Sequence, residues 1–263
     1  MRRDNRKYTV NDNFLKEVGP EQAYFIGLMA ADGSIAKSPK AKQNKFRYLK
    51  LSQSGYNGLK TIKYITNLLE SDCKIYSDPK ISSHSFQITS ISIVSELIKI
   101  GVTPNKTLTL GWPKISPLLS NHFMRGYIDG DGSVGIYKRG GGTYLSLSYV
   151  GTEEFVKSSI LFLPVNKYHL RKVKRCKNLY QIYFNGQAAE IMCKWLWIDS
   201  KYKSYKYDIY NNWMTNYHPP YRKYTKLKHQ AKKLFDSGMT PVKISKEINI
   251  AFQTVYKWRK EWI

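Results

Sequence analysis

Two aspartates with matching surroundings are the residues of this chain whose type and spacing most directly suggest chemistry. Asp32 lies in residues 24–35 (YFIGLMAADGSI), and Asp131 lies at the matching position of residues 123–134 (FMRGYIDGDGSV), an offset of 99 (131 − 32). In each copy a run of apolar and small residues leads to the aspartate and a glycine follows it, which predicts a helix that ends there. The helix dipole disfavours a carboxylate at this end, so a pair of them requires a cation.

Small residues four positions apart predict that these two helices pack tightly against each other. Gly27 and Ala31 share one face of the first helix, and Gly126 and Gly130 share the matching face of the second. Residues without bulk let two helices approach more closely than the usual interaxial distance of about 8–10 Å. The C-terminal ends of both helices, with their aspartates, should therefore lie side by side.

Paired carboxylates at such a junction predict a site for a hard divalent cation. Mg²⁺ binds carboxylate, carbonyl and water oxygens and is often completed by substrate phosphates. We expect a Mg²⁺ site at Asp32, Asp131, Ala31 and Gly130, for which Mn²⁺ is a plausible substitute, and such metals can activate water in phosphodiester hydrolysis. One Asp-Gly pair alone would indicate only a helix end and a turn, whereas two copies at matched positions favour a site.

The repeat extends beyond the two motifs and predicts the elements that position them. Residues 49–52 (LKLS) recur as 145–148 (LSLS) at an offset of 96, and residues 86–88 (FQI) recur as 180–182 (YQI) at an offset of 94. Apolar periodicity and turn residues predict the order αββαββα in each half, with helices near 20–32 and 119–131 carrying the aspartates. The predicted domains are residues 1–110, residues 111–215 and a separate segment of residues 216–263.

The charge of the chain points to a polyanionic partner. The 43 Lys and Arg residues outnumber the 19 Asp and Glu residues, giving a formal net charge of +24. Such an excess repels itself unless a polyanion such as nucleic acid neutralises it.

The apolar runs are shorter than the roughly 20 residues of a membrane span, and the polar N-terminal stretch does not resemble a secretion signal. Three widely spaced cysteines fit a reducing compartment, so we expect a cytoplasmic or organellar protein.

The two motifs resemble those of the LAGLIDADG homing endonucleases in their single-chain form. Residues 25–33 (FIGLMAADG) and 124–132 (MRGYIDGDG) match the nine-residue motif, with Ala30 in place of a second acid. The resemblance covers residues 10–215 and implies an α+β fold of two pseudo-symmetric αββαββα halves with antiparallel β-saddles along the DNA major groove. It further implies metal-dependent double-strand cleavage across the minor groove, leaving short 3′ overhangs in a long target.

The resemblance also implies basic and polar residues beside the metal site. Lys106 follows the last helix of the first half. In the second half the offset of 100 (206 − 106) favours Lys206 as its equivalent, with Lys203 as the alternative. Their expected role is to stabilise phosphate charge or to polarise the attacking water. Gln53 resembles a residue that positions solvent, and the 96-residue offset makes Tyr149 its counterpart.

Basic strands supply the candidate contacts to double-stranded DNA. A strand over residues 167–177 would place its cationic side chains on one face, because alternate residues of a strand point the same way. The candidate DNA-binding residues of the two halves are Lys45, Arg47, Lys50, Lys167, His169, Arg171, Arg175 and Lys177.

Residues 225–263 predict a small all-α helix-turn-helix module. Thr240 and Pro241 begin a second helix, Asn249 permits the turn, and a third helix follows. In such modules the recognition helix enters the major groove with its N-terminal residues at the base edges. Gln253, Thr254 and Lys257 are the candidate contacts, while a protein-interaction module remains the alternative.

The leading prediction is a monomeric, site-specific DNA endonuclease associated with a mobile intron or an intein-like element. Two alternatives stay open. A regulator that binds DNA without cutting it would need neither the two motif aspartates nor Lys106 and Lys206, although this chain has all four. An RNA maturase would use the same basic surface to bind its own intron RNA.

Overall fold

The computed structural model describes residues 6–37, 46–139, 142–174, 176, 178–217 and 220–262. The chain divides into two compact units, residues 1–211 and residues 212–263. Both halves of the sequence repeat lie in the first unit, and the predicted helix-turn-helix module lies in the second. None of the described helices is long and apolar enough to cross a bilayer.

The first half has the predicted order αββαββα. Its elements are α1 (Pro20–Ala31), β1 (Gly33–Lys37), β2 (Phe46–Ser54), α2 (Gly55–Leu68), β3 (Ile75–Asp78), β4 (Ser83–Thr89) and α3 (Ile91–Ile100). Pro20 occupies the first turn of α1, where its missing N–H costs nothing. Ser90 caps the N-terminus of α3, where its hydroxyl accepts a hydrogen bond from the Ile93 amide. Gly101 caps the C-terminus in the left-handed conformation.

The second half repeats this order. Its elements are α4 (Ser120–Asp131), β5 (Gly132–Arg139), β6 (Gly142–Thr152), α5 (Glu153–Ile160), β7 (His169–Lys172), β8 (Leu179–Asn185) and α6 (Gln187–Trp197). Strand β7 is much shorter than the predicted strand over residues 167–177. Because β8 begins at Leu179 and runs antiparallel to β7, the chain has to turn between Lys172 and Leu179.

Each half builds one four-stranded antiparallel sheet, ordered β1-β2-β4-β3 in the first and β5-β6-β8-β7 in the second. One face of each sheet is apolar and packs against helices, as the alternation of side chains along a strand requires. The buried residues of this face include Leu49, Leu51, Phe86 and Ile88 in the first sheet, and Leu145, Leu147, Ile182 and Phe184 in the second. The α+β class and the paired antiparallel sheets are thus confirmed.

The strand register corrects the alignment of the two halves. Gly33 pairs with Leu51 in the first sheet, and its repeat partner Gly132 pairs with Tyr149 in the second. The offset between β2 and β6 is therefore 98 (149 − 51) rather than the predicted 96. Sheets repeat every two residues, so a two-residue slip leaves the apolar alternation intact and cannot be seen in the sequence.

The remaining helices are α7 (Tyr205–Asn216), α8 (Pro220–Asp236), α9 (Pro241–Glu247) and α10 (Phe252–Lys260). Helices α8 to α10 enclose a small core of Ala231, Ile244, Ile248, Val255 and Trp258. Asn249 adopts a left-handed conformation (φ 50°) in the turn between α9 and α10, as predicted. The second unit therefore has a hydrophobic core of its own.

Candidate active site

Helices α1 and α4 cross at their glycines, as the spacing of small residues predicted. A Cβ atom added to Gly27 would lie 2.0 Å from the carbonyl oxygen of Phe123, and one added to Gly126 would lie 2.0 Å from that of Tyr24. Neither backbone could accommodate a side chain, so only glycine permits this contact at both positions. The matching contacts give the helix pair an approximate two-fold symmetry.

Asp32 and Asp131 meet at the C-terminal ends of this helix pair. Both residues are exposed, so metal and phosphate can reach them. Partial burial of the Asp131 carboxylate and the negative charge of Asp32 raise the pKa of Asp131 to about 6. Burial also raises the pKa of Asp32, whereas a hydrogen bond from Gln53 and the charges of both lysines oppose this rise. The two carboxylates therefore repel each other, as the sequence predicted.

Lys106 and Lys206 occupy equivalent positions near the two carboxylates. Lys106 is 8% exposed and its ammonium donates to the carbonyl oxygen of Gly33. Lys206 is 3% exposed and donates to the carbonyl oxygens of Ile128 (2.5 Å), Asp129 (3.0 Å) and Gly132 (2.7 Å). Each lysine thus binds the glycine carbonyl that follows a motif aspartate.

Burial lowers the pKa of both lysines, and the nearby aspartates raise it. For Lys106 the opposing charges are those of Asp131 and Asp32, and for Lys206 they are those of Asp129, Asp32 and Asp131. A cation close to helix C-termini and carboxylates offsets their negative potential. Both lysines can therefore stabilise charge at the site without leaving their buried positions.

Gln53 is the polar side chain that touches a motif carboxylate. Its amide nitrogen donates to Oδ2 of Asp32 at 2.5 Å. The prediction that Tyr149 is its counterpart is wrong, because the 98-residue offset matches Gln53 with Gly151. A Cβ atom at Gly151 would lie 2.6 Å from the Phe155 ring, so packing leaves no room for an amide side chain there.

A polar cleft of about 290 Å³ opens beside this half of the site. Its lining includes Asp32, Gln53, Gly130, Gly132 and Lys206. Gln53 comes from the first half of the chain and Lys206 from the second. The cleft is therefore a joint product of both halves.

The residues present fit a hard divalent cation. A Cβ atom at Gly130 would lie 2.7 Å from Oδ2 of Asp32 and 2.4 Å from the Cβ of Ala31, so glycine keeps space open beside the carboxylate. Among the described residues, no three His, Cys, Asp or Glu side chains cluster as a metal site. Two carboxylates, backbone carbonyls and phosphate oxygens are instead the ligand set that Mg²⁺ uses.

Sequence reasoning assigned no role to Arg125 or Asp129, although both lie in the second motif. Arg125 is fully buried, and Asp129 is 8% exposed. Burial raises the pKa of Asp129, while hydrogen bonds from Ser204 and Tyr24 and the charge of Lys206 lower it. Both residues depart from the apolar pattern of the motif, and this departure is the sequence signal that could have identified them.

The candidate DNA-contacting residues that the structure describes come from both halves of the repeat. Lys50 lies on the polar face of β2, and Lys167, His169 and Arg171 are exposed at and before β7. Arg171 donates to Oε1 of Gln181 at 3.0 Å and stacks on the Tyr183 ring. The remaining candidates lie outside the described part of the structure, namely Lys45, Arg175, Lys177 and the side chain of Arg47.

The predicted contacts of the second unit lie on helix α10. Gln253 and Lys257 are exposed and Thr254 is half-buried, whereas Val255 and Trp258 face the core. One face of α10 is therefore polar and exposed, and the other packs into the core of the second unit. These residues belong to a different unit from the two aspartates.

No protein-family model and no curated protein matches this chain. Among solved structures, the homing endonuclease I-GzeII in complex with its DNA target is similar with a TM-score of 0.51 and 13% identity, covering 88% of this chain and 96% of that one. A double mutant of the homing endonuclease I-SmaMI is similar with a TM-score of 0.50 and 13% identity, covering 83% and 94%. The paired sheets around two crossed motif helices, together with these likenesses, show that the chain has the single-chain, two-domain LAGLIDADG fold.

Proposed function

We propose that the protein is a site-specific DNA endonuclease that makes metal-dependent double-strand breaks. The observation that carries this proposal is the pair of exposed carboxylates, Asp32 and Asp131, at the approximate two-fold axis between two equivalent sheets. A duplex presents two antiparallel strands related in the same way. One carboxylate pair can therefore serve one phosphodiester of each strand.

Charge and structural likeness support duplex DNA as the substrate. The net charge of +24 suits a polyanion, and I-GzeII, which has the same fold, binds a DNA target. Each sheet offers a polar face opposite its core, carrying Lys50 in the first half and Arg171 with Gln181 in the second. Arginine and glutamine are side chains that hydrogen-bond base edges in the major groove.

Each group of residues in the site has its own role in the proposed hydrolysis. Asp32 and Asp131 would hold Mg²⁺ or Mn²⁺, together with the backbone of Ala31 and Gly130. When bound, the metal would lower the pKa of the attacking water and stabilise charge on the leaving oxygen. Gln53 fixes the orientation of the Asp32 carboxylate, and the buried lysines supply a fixed positive potential toward the phosphates. The proposed cuts lie across the minor groove and leave short 3′ overhangs.

End sequencing tests this function directly. Purified protein would be incubated with a randomised or host-derived DNA library in Mg²⁺ and, separately, in EDTA, beside the Asp131→Asn protein. We expect discrete paired cuts with 3′ overhangs in Mg²⁺ alone, and none with the variant. Specific binding without cuts would instead identify a DNA-binding regulator, and preference for intron RNA over duplex DNA would identify a maturase.

We also propose that the second unit is a helix-turn-helix module that extends the DNA footprint through Gln253, Thr254 and Lys257. Its own core supports independent folding, and the exposed polar side chains of α10 suit the role of a recognition helix. Truncation after Tyr217 should weaken binding and make its salt dependence shallower, by about 0.9 for each phosphate that the module neutralises. A truncated protein with an unchanged salt slope would contradict a DNA-binding role of this unit.

A further inference from the structure

Buried polar side chains hold the chain just before Lys206, and the first half has no equivalent of them among its described residues. Arg125 and Asp129 lie on successive turns of α4, and residues 202–206 pass beside them to the start of α7. Ser204 and Lys206 are 4% and 3% exposed. We call Arg125, Asp129, Tyr202 and Ser204 the clamp.

Arg125 fixes the backbone of this segment. Its Nη1 donates to the carbonyl oxygen of Tyr202 at 2.7 Å, and its Nη2 lies 3.5 Å from Oε1 of Glu21. The guanidinium also stacks over the Tyr24 ring, with Cζ 4.3 Å from the ring centroid. A planar guanidinium held on three sides has little freedom. The position of Tyr202 is therefore tied to both motif helices.

Asp129 fixes the same segment at a second point. Its Oδ1 accepts the hydroxyl of Ser204 at 2.6 Å, and its Oδ2 accepts the hydroxyl of Tyr24 at 2.9 Å. Both carboxylate oxygens thus accept a hydrogen bond, one from α1 and one from residues 202–206. A buried carboxylate with two donors is held in one orientation.

The Tyr202 side chain adds a third attachment, to helix α2. Its ring stacks on Tyr64 at a centroid distance of 4.3 Å and an interplanar angle of 16°. Its hydroxyl shares a hydrogen bond with Thr61 at 2.9 Å. The chain reaches Lys206 four residues later, with the ammonium against three carbonyl oxygens of the second half.

Lys106 lacks these attachments. The 99-residue offset matches Arg125 with Ile26 and Asp129 with Ala30, and neither side chain can form a hydrogen bond. Lys106 instead follows Asn105, which has a left-handed backbone, and begins a short 3₁₀ helix, Lys106–Leu108. Its ammonium has one carbonyl partner among the described residues, that of Gly33.

Burial of the clamp is costly, which argues for a purpose other than stability. A buried ion pair is seldom more stabilising than apolar residues of the same size. Among the described atoms, Nε of Arg125 is buried without a hydrogen-bond partner, so the arginine is not fully compensated. Its first-half counterpart, Ile26, shows that an apolar residue packs well at the matching position.

We propose that the clamp is a positioning device for Lys206 alone, so that the two strand cuts depend on differently supported lysines. This inference rests on the proposed endonuclease function. Lys206 and Lys106 lie on opposite sides of the two-fold axis, and each is expected to act on one strand. Loss of the clamp should therefore slow one cut of the pair and spare the other.

The experiment follows each strand separately. A duplex target with a different fluorophore on each 5′ end would be cut under single-turnover conditions in Mg²⁺ by the wild type, Ser204→Ala and Arg125→Met. Lys206→Met and Lys106→Met would identify which strand each lysine serves. Ser90→Ala is the matched control, because Ser90 is similarly buried and caps the N-terminus of α3, the opposite end of that helix from the one that leads to Lys106.

We expect both clamp variants to slow the strand served by Lys206 by about 10- to 100-fold, since misplacement by about 1 Å has effects of this size. The other strand should be cut at a rate near that of the wild type, so nicked DNA accumulates. Ser90→Ala should leave the ratio of the two rates unchanged. Equal slowing of both strands, no slowing, or slowing of the strand served by Lys106 would overturn the inference.

Hydrogen exchange keeps the clamp testable if the wild type cuts no DNA, an outcome that would contradict the proposed function. Ser204→Ala should raise amide exchange across residues 202–206 by about tenfold, while exchange at residues 102–106 stays unchanged. Unchanged exchange at residues 202–206 would overturn the clamp regardless of activity. Arg125→Met then serves as the stronger variant, with its melting temperature checked first.

Discussion

The two sides of the active site share their centre and differ at their flanks. At the centre, Gly27 and Gly126 make the same backbone contact, and each motif aspartate is followed by a glycine whose carbonyl binds a lysine. At the flanks, the side with Lys206 also has Gln53 and the clamp. The matching positions on the side with Lys106 hold Gly151 in place of Gln53 and apolar residues in place of Arg125 and Asp129. Under the proposed function, symmetry is retained where both DNA strands need the same chemistry and is absent where side chains only support the site.

The largest expected effect tests the shared centre. Asp32→Asn and Asp131→Asn should each reduce cleavage of both strands by about 10³-fold or more, since each removes a proposed metal ligand and a charge. Binding to the target without metal should stay within about tenfold of the wild type. Single-turnover rates and gel-shift affinities would measure the two quantities. Loss of binding and of cooperative folding would show that the carboxylates are structural.

The helix crossing should be equally sensitive in both halves. Gly27→Val and Gly126→Val should each lower the free energy of unfolding by about 3 kcal/mol or more, because the added atoms meet backbone at 2.0 Å. Urea denaturation would measure both values. The control is Ser34→Val, at an exposed position of β1 that tolerates a β-branched residue. A difference of several kcal/mol between the two glycine variants would break the two-fold symmetry at the centre.

A substitution at Gln53 tests whether the two sides of the site act on different strands. Gln53→Ala removes the hydrogen bond to Asp32 and should slow one strand by about tenfold, in line with the loss of a charge-assisted hydrogen bond. The same strand should respond to Lys206→Met, because Gln53 and Lys206 line the same cleft. The two-fluorophore assay measures this effect. Equal slowing of both strands would show that Gln53 serves the metal site as a whole.

The smallest expected effect concerns stability without metal. The pKa of Asp131 rises to about 6 on folding from 3.8, so its ionisation destabilises the fold as pH rises from about 4 through about 6. Asp131→Asn should therefore stabilise the metal-free protein at pH 8 by about 1 kcal/mol, a value kept small because water screens the exposed carboxylate. The gain should vanish below pH 4.

Asp32→Asn is the comparison for this measurement. It should stabilise less, because the hydrogen bond from Gln53 already favours the charged form of Asp32. Urea denaturation at pH 4 and pH 8 in EDTA would measure both variants. A gain for Asp131→Asn that persists at pH 4 would contradict electrostatic repulsion as its cause.

Local patterns in the sequence sufficed for the elements and for the centre of the site. Apolar periodicity predicted the order αββαββα in both halves, and small residues at Gly27, Ala31, Gly126 and Gly130 predicted the close helix crossing. The offset of 100 between Lys106 and Lys206 matched the motif offset closely enough to select both lysines. These features could be predicted because each depends on residues that are near in sequence or closely repeated.

Strand alignment and the clamp could not be predicted in this way. The sequence predicts Tyr149 as the counterpart of Gln53, because a shift of two residues preserves every inward and outward position of a strand. Only the pairing of Gly132 with Tyr149 shows that Gly151 is the true counterpart. The predicted strand over residues 167–177 was too long because its partner, β8, could be placed only once the sheet was known.

The sequence by itself determined the two halves, their element order, the paired aspartates and the basic charge that suits DNA. Only the tertiary structure decided which side of the site is supported, because the clamp joins α4, α2, α1 and residues 202–206, which are far apart in the chain. Arg125 and Asp129 are two polar residues in an apolar motif when seen in sequence. Their function emerges from partners that folding brings to them, since a buried charge is stable only where its hydrogen bonds are made.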